Sequence, residues 1–108
     1  MPSEITSREL EARLTKGRAT YVVDVRDPWE RAIAVLKDHH HIPLGELPER
    51  LDELKPPAGA LTVLYCHHGV RSLAAVAFLE EQGWKSVVSL EGGIDAWSSE
   101  VDPKIPVY

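Results

Sequence analysis

A single cysteine, Cys66, is the scarcest reactive group in this 108-residue chain, and one thiol cannot close an internal disulfide. A free thiol persists in a reducing compartment, so a cytoplasmic setting is expected. Positive charge is also short. The 12 Lys and Arg residues against 17 Asp and Glu leave a formal charge of −5, which argues against a general binder of nucleic acid or anionic membrane. No apolar run approaches the ~18 residues of a membrane span. Met1-Pro2-Ser3-Glu4 has no basic segment leading into an apolar one, so no secretory leader is expected. Internal repeats and low-complexity tracts are missing too. The chain is 44% hydrophobic and 27% charged, ordinary for a globular protein, and residues 1–108 are read as one domain.

Strand and helix patterns alternate along the chain. Thr6 and Glu9 have capping-box spacing, and Ile5 and Leu10 sit where a hydrophobic staple would close over it. Leu10 and Leu14 share one helical face, and Gly17 marks its end. Tyr21 to Val25 reads as a strand buried on both sides. Asp27-Pro28 opens a second helix through Ala34, with proline at its first position. His41-Ile42-Pro43 suits a very short strand. Leu47, Leu51 and Leu54 give a third, amphipathic helix. After a turn at residues 56–59, Leu61 to Tyr65 is a strand. Ser72 is placed as the cap of a largely apolar helix ending near Gly83. Lys85 to Leu90 is a further strand, and Gly92-Gly93 precedes a short helix over residues 94–99. This alternation predicts an α/β fold with a mostly parallel sheet.

The segment Leu64-Tyr65-Cys66-His67-His68-Gly69-Val70-Arg71-Ser72 carries the chemistry. A lone cysteine is most often a small buried hydrophobe, but here it falls where a strand stops and a helix begins. In open parallel sheets, ligands bind outside the carboxyl ends of the strands. Gly69 permits a backbone turn in which successive N–H groups face inward as an anion nest. The helix N-terminus adds a positive dipole end, and Arg71 adds a permanent planar charge. All three favour Cys66 as a thiolate beside an anionic substrate.

The ordered set Asp24-Val25-Arg26, His41-Ile42-Pro43-Leu44, Cys66 to Ser72 and Leu90-Glu91-Gly92-Gly93-Ile94-Asp95-Ala96-Trp97 resembles the rhodanese family of sulfurtransferases. The likeness runs over nearly the whole chain. It implies a mostly parallel central sheet with helices on both faces and a six-residue active loop, Cys66 to Arg71. Cys66 would be the nucleophile that carries sulfur as a persulfide. Arg71 and the backbone N–H groups of His67, His68, Gly69, Val70 and Arg71 would hold the substrate. Asp24, Arg26 and Ser72 would support the site, the first two as a structural salt link. No cofactor or metal is implied. The donor would be a small molecule such as thiosulfate, and the acceptor cyanide, a thiol or a sulfur-carrier protein.

Two other functions fit the same scaffold. Related phosphatases and arsenate reductases carry one more residue between cysteine and arginine, whereas only four intervene here; the tighter ring suits a sulfur bonded to Cys66. Many non-catalytic interaction modules that resemble this fold lack the cysteine, whereas this chain keeps both Cys66 and Arg71. The histidine clusters 39–41 and 67–68 are expected not to gather on one ion, because adjacent side chains in extended chain diverge. Trp29, Trp84 and Trp97 are expected to pack. Asp38-His39 stands where the family pattern usually has Gly-Ala, so that turn is expected to be built differently.

Overall fold

The computed structural model describes residues 3–108. Five strands form one sheet: β1 (Glu4–Ile5), β2 (Thr20–Asp24), β3 (His40–His41), β4 (Leu61–Tyr65) and β5 (Val87–Leu90). Their spatial order is β1-β5-β4-β2-β3, and every neighbouring pair is parallel. The central register pairs Val22 with Val63 and Asp24 with Tyr65. The helices are α1 (Ser7–Thr15), α2 (Pro28–Arg31), α3 (Leu47–Arg50), α4 (Val70–Glu81) and α5 (Gly93–Glu100). Among the described residues, no helix is long and apolar enough to cross a membrane.

The period of two along each strand divides the core between the two faces of the sheet. Tyr21, Val23 and Val25 join Leu64, Val87 and the α4 residues Ala75, Val76 and Leu79 on one face. Val22, Val63 and Tyr65 join Leu10 of α1 and Ile94 of α5 on the other. Helices therefore cover both faces, which is why β2 and β4 read as unbroken apolar runs.

Several boundaries differ from the sequence reading, each for a local reason. The Thr6–Glu9 capping box is formed, but Ile5 also belongs to β1, which pairs with β5. Two residues are too few to reveal a period. Helix α2 stops at Arg31 instead of reaching Ala34, because the chain turns to bring the Ala34 carbonyl to the buried Arg26 guanidinium at 2.8 Å. The expected third helix is one α turn between the 3₁₀ turns Leu44–Glu46 and Leu51–Glu53, although Leu47, Leu51 and Leu54 still pack on the core. Helix α4 starts at Val70 with Gly69 as its cap; Ser72 lies inside the helix and bonds elsewhere. Trp84 and Trp97 pack against the core, whereas Trp29 is 61% exposed.

The chain runs from β2 outward to β3 and then returns past β2 to β4. The carboxyl ends of β2 and β4 thus flank the point where the winding reverses, the place where such sheets bind ligands. Asp24 ends β2, and Cys66 directly follows β4.

Candidate active site

Cys66 is 1% exposed, yet it is not sealed in hydrocarbon. The Gly69 N–H donates to its Sγ at 3.1 Å, and the Ser72 N–H approaches at 3.4 Å. The Ser72 hydroxyl is also 3.4 Å from the sulfur and shares a 2.7 Å hydrogen bond with the Ser89 hydroxyl on β5. These donors stabilise negative charge on sulfur at a fixed place.

Backbone geometry aims those amides. Gly69 adopts φ +101°, a region that favours glycine. Gly93, at φ +61°, lets the start of α5 press against the loop, since a Cβ there would sit 2.4 Å from the carbonyl oxygens of both Cys66 and His67. The close approach lets the Ile94 N–H donate to the Cys66 carbonyl at 2.9 Å and the Asp95 N–H to the His67 carbonyl at 3.1 Å. With its carbonyls drawn toward α5, the loop turns amides toward the sulfur. Helix α5 therefore shapes the cradle without touching what the cradle holds.

Around this lies a charged wall. Arg71 forms a two-pronged pair with Glu30, Nη1 donating to Oε2 at 2.7 Å and Nη2 to Oε1 at 2.8 Å. Glu30 is buried. The Arg71 hydrogen bonds hold its carboxyl at about 2, well below the ordinary value, with the Tyr108 hydroxyl assisting against the cost of burial. Tyr108 donates to Glu30 Oε1 at 2.7 Å and accepts from Arg26 Nη1 at 2.8 Å. Its ring lies flat on the His67 ring, 3.8 Å between centroids and 5° between planes. Behind it, Arg26 grips both oxygens of Asp24 at 2.9 and 2.8 Å, with neither side chain exposed. Burial alone would raise the Asp24 carboxyl, but hydrogen bonds from Arg26 outweigh that and hold it low.

A family model described as "Rhodanese-like domain" matches residues 6–100. The chain belongs to the rhodanese family. It is 38% identical over 98 residues to a "Sulfurtransferase" of Allochromatium vinosum, covering 91% of this chain and 90% of that protein. It is also 38% identical over 106 residues to the "Probable adenylyltransferase/sulfurtransferase MoeZ" of Mycobacterium tuberculosis, but there it spans only 27% of the relative's length. A rhodanese-related protein from Thermoplasma volcanium superposes with a TM-score of 0.81 at 32% identity, over 98% of this chain and 99% of that one.

Within this rhodanese, the structure brings Cys66, Gly69, Arg71 and Ser72 together and sets Asp24 and Arg26 behind them as a buried link. Val70 is 75% exposed. His68 is 4.0 Å from Asp95, and the His67 and His68 rings stack at 3.8 Å. That stacking corrects the expectation of divergent side chains, because the loop is curled and not extended. Ring nitrogens of His67 and His68 and a carboxylate oxygen of Asp95 fall within 4.8 Å of one another, and among the described residues this is the group that could hold a cation. The ring planes lie 26° apart, so the lone pairs run side by side more than they converge. Burial, then the charge of His68, keeps the His67 imidazole below its usual range. The other cluster disperses: His39 accepts from the Val22 N–H at 3.1 Å, His40 meets Glu53, and His41 Nε2 bonds the Arg26 carbonyl at 2.7 Å. Asp38, at the altered turn, accepts from Arg31 and Tyr65.

Sequence reasoning missed Glu30, Ser89 and Tyr108. Glu30 had a local signal, three residues after Asp27 with capping-box spacing, and its carboxylate does accept the Asp27 N–H at 2.9 Å. Its partner Arg71 lies 41 residues away, and nothing in the chain marks that pairing. Two surface hollows lie elsewhere, one bordered by Ile5, Arg13 and Val88 and another by Leu14, Lys37 and His39. Neither is lined by a thiol.

Proposed function

We propose that this protein transfers sulfane sulfur through a persulfide on Cys66. The observation that carries the reading is the pair of main-chain N–H groups, from Gly69 and Ser72, aimed at Cys66 Sγ. The thiolate attacks the outer sulfur of a donor such as thiosulfate, the S–S bond breaks, and sulfite leaves with the bonding electrons. The persulfide anion then faces the same amides. An acceptor (cyanide, a small thiol or a sulfur-carrier protein) removes that sulfur and restores the thiolate. Splitting the transfer through a covalent intermediate gives ping-pong kinetics. The Cys66–Arg71 spacing, one residue shorter than in the related phosphatases, disfavours hydrolysis of a tetrahedral oxyanion ester.

The test is an intact-mass measurement after incubation with a sulfane donor. The wild type should gain one sulfur atom, lose it to cyanide as thiocyanate, and Cys66→Ser should gain none. No added sulfur with any donor, or aryl phosphate turnover abolished by Cys66→Ser, would overturn the reading.

A further inference from the structure

The two guanidinium groups that border the site are already matched by carboxylates. Arg71 is held by both oxygens of Glu30 and Arg26 by both oxygens of Asp24. His68 faces Asp95. A negatively charged donor therefore meets ion pairs, not unpaired cations, in a chain whose net charge is already −5. We propose that Glu30 is a specificity-determining residue that discriminates against dianionic donors, so the donor this site favours is an alkyl persulfide, R–S–S–H, over thiosulfate. This rests on the persulfide chemistry at Cys66 described above.

Charge balance along the two routes makes the distinction. With thiosulfate, Cys66–S⁻ and S–SO₃²⁻ become Cys66–S–S⁻ and SO₃²⁻, gathering three negative charges around one sulfur before sulfite departs. With a protonated persulfide, Cys66–S⁻ and R–S–S–H become R–S⁻ and Cys66–S–S–H, and a single negative charge moves from one sulfur to another. If the persulfide is ionised the total is two. One guanidinium, with its charge already matched by Glu30, offsets little of the first load and suits the second. Only two of the five donors on a guanidinium are spent on Glu30, and Arg71 is 34% exposed, so uncommitted N–H groups remain to meet a departing thiolate. The Glu30 carboxylate, 2.7 Å from the Arg71 guanidinium, opposes a dianion drawn to that guanidinium through partly screened Coulomb repulsion.

Tyr108 fixes this arrangement. Its hydroxyl bridges Glu30 and Arg26, and its ring is seated on His67, so the carboxylate is restrained from swinging aside for an incoming anion. Glu30 and Tyr108 act through Arg71 and make no bond to sulfur. They are positioning residues.

The experiment compares kcat/KM for loading Cys66 from thiosulfate, from free cysteine persulfide, and from a persulfidated protein bearing one surface cysteine. In the wild type, at least one persulfide donor should exceed thiosulfate by tenfold or more, and the better of the two identifies whether the source is free or protein-bound. Glu30→Gln should raise thiosulfate relative to persulfide by about tenfold, mainly through a lower KM for thiosulfate. Tyr108→Phe should move the ratio the same way by about two- to threefold. A merely structural role would lower all donors together and leave the ratio unmoved. Should Glu30→Gln fail to fold, wild-type protein decides: sulfate, a dianion without transferable sulfur, should give little protection of Cys66 from alkylation, and strong protection would overturn the proposal. Equal use of thiosulfate and persulfide by the wild type, or an unchanged donor ratio in Glu30→Gln, would also overturn it while leaving the persulfide mechanism intact. Failure of every donor to load Cys66 would instead remove that mechanism.

Discussion

Replacing Gly93 with alanine should damage the catalytic loop although residue 93 never faces the sulfur. At φ +61°, an L-residue costs about 1–2 kcal/mol in backbone strain. The new Cβ would also fall 2.4 Å from two backbone oxygens, those of Cys66 and His67, which cannot rotate away as a flexible side chain could. Relief requires α5 to back off, breaking the Ile94 N–H to Cys66 and Asp95 N–H to His67 hydrogen bonds at roughly 1 kcal/mol each. The sum is about 3–4 kcal/mol, a large part of the about 5–15 kcal/mol that holds an ordinary domain together. Urea unfolding is the assay. With a slope of about 1.5 kcal/mol per molar, the midpoint should fall by about 2 M. Two controls separate the causes. Gly17 has φ +68° with nothing within 4 Å of a Cβ, and Gly45 has neither positive φ nor a neighbour. Gly17→Ala should cost about 1 kcal/mol, and Gly45→Ala should lie within about 0.5 kcal/mol of wild type. Below the unfolding transition, Gly93→Ala should also alkylate Cys66 more slowly at neutral pH, because the amides lose their aim. A Gly93→Ala protein indistinguishable from Gly17→Ala in midpoint and alkylation rate would refute the reasoning.

Acid should expose the Glu30–Arg71 pair. The Glu30 carboxyl is held at about 2 in the folded protein, against an ordinary 4.5, so the fold binds its proton more weakly than the unfolded chain does. The stability this supplies is complete above about pH 5 and is lost as pH falls toward 2, about 3 kcal/mol over that window. Urea midpoints measured from pH 6 to pH 2 should fall less steeply for Glu30→Gln than for wild type; parallel curves would contradict the assignment. Ser72→Ala should destabilise by about 1–2 kcal/mol, because it leaves the buried Ser89 hydroxyl without its 2.7 Å partner. The double variant Ser72→Ala/Ser89→Ala should recover part of that loss in thermal unfolding, and no recovery would mean the two hydroxyls are uncoupled.

The parts of this molecule that could be seen in the sequence are those with a local cause. Thr6 and Glu9 announce the start of α1 because both halves of the capping box lie three residues apart. The strands at Tyr21 and Leu61 stand out because burial on both faces makes their apolar runs continuous, and the family motifs place Cys66 at the end of one of them. Ser72 was misplaced as a cap because a serine near a helix start ordinarily bonds backbone. Here Gly69 makes the turn, and the hydroxyl lies inside the helix, donating back to the Gly69 carbonyl at 3.3 Å and meeting Cys66 and Ser89, partners set by the sheet. Glu30 and Tyr108 could not be read at all as parts of the site, since they meet Arg71 and His67 only after β2 and β4 align. Trp29 is expected to pack, but the short α2 leaves it at the surface, edge-on to Tyr108.

The sulfur cradle is assembled from main chain, held in shape by hydrogen bonds to a neighbouring helix. Its contour is therefore set by main chain and not by the side chains of His68 and Val70, which are exposed on the outer rim. Such an arrangement separates the reactive core from its wardrobe: imidazole, hydroxyl or aliphatic groups can be exchanged at the entrance to retune which acceptor docks, while the chemistry beneath keeps the same template.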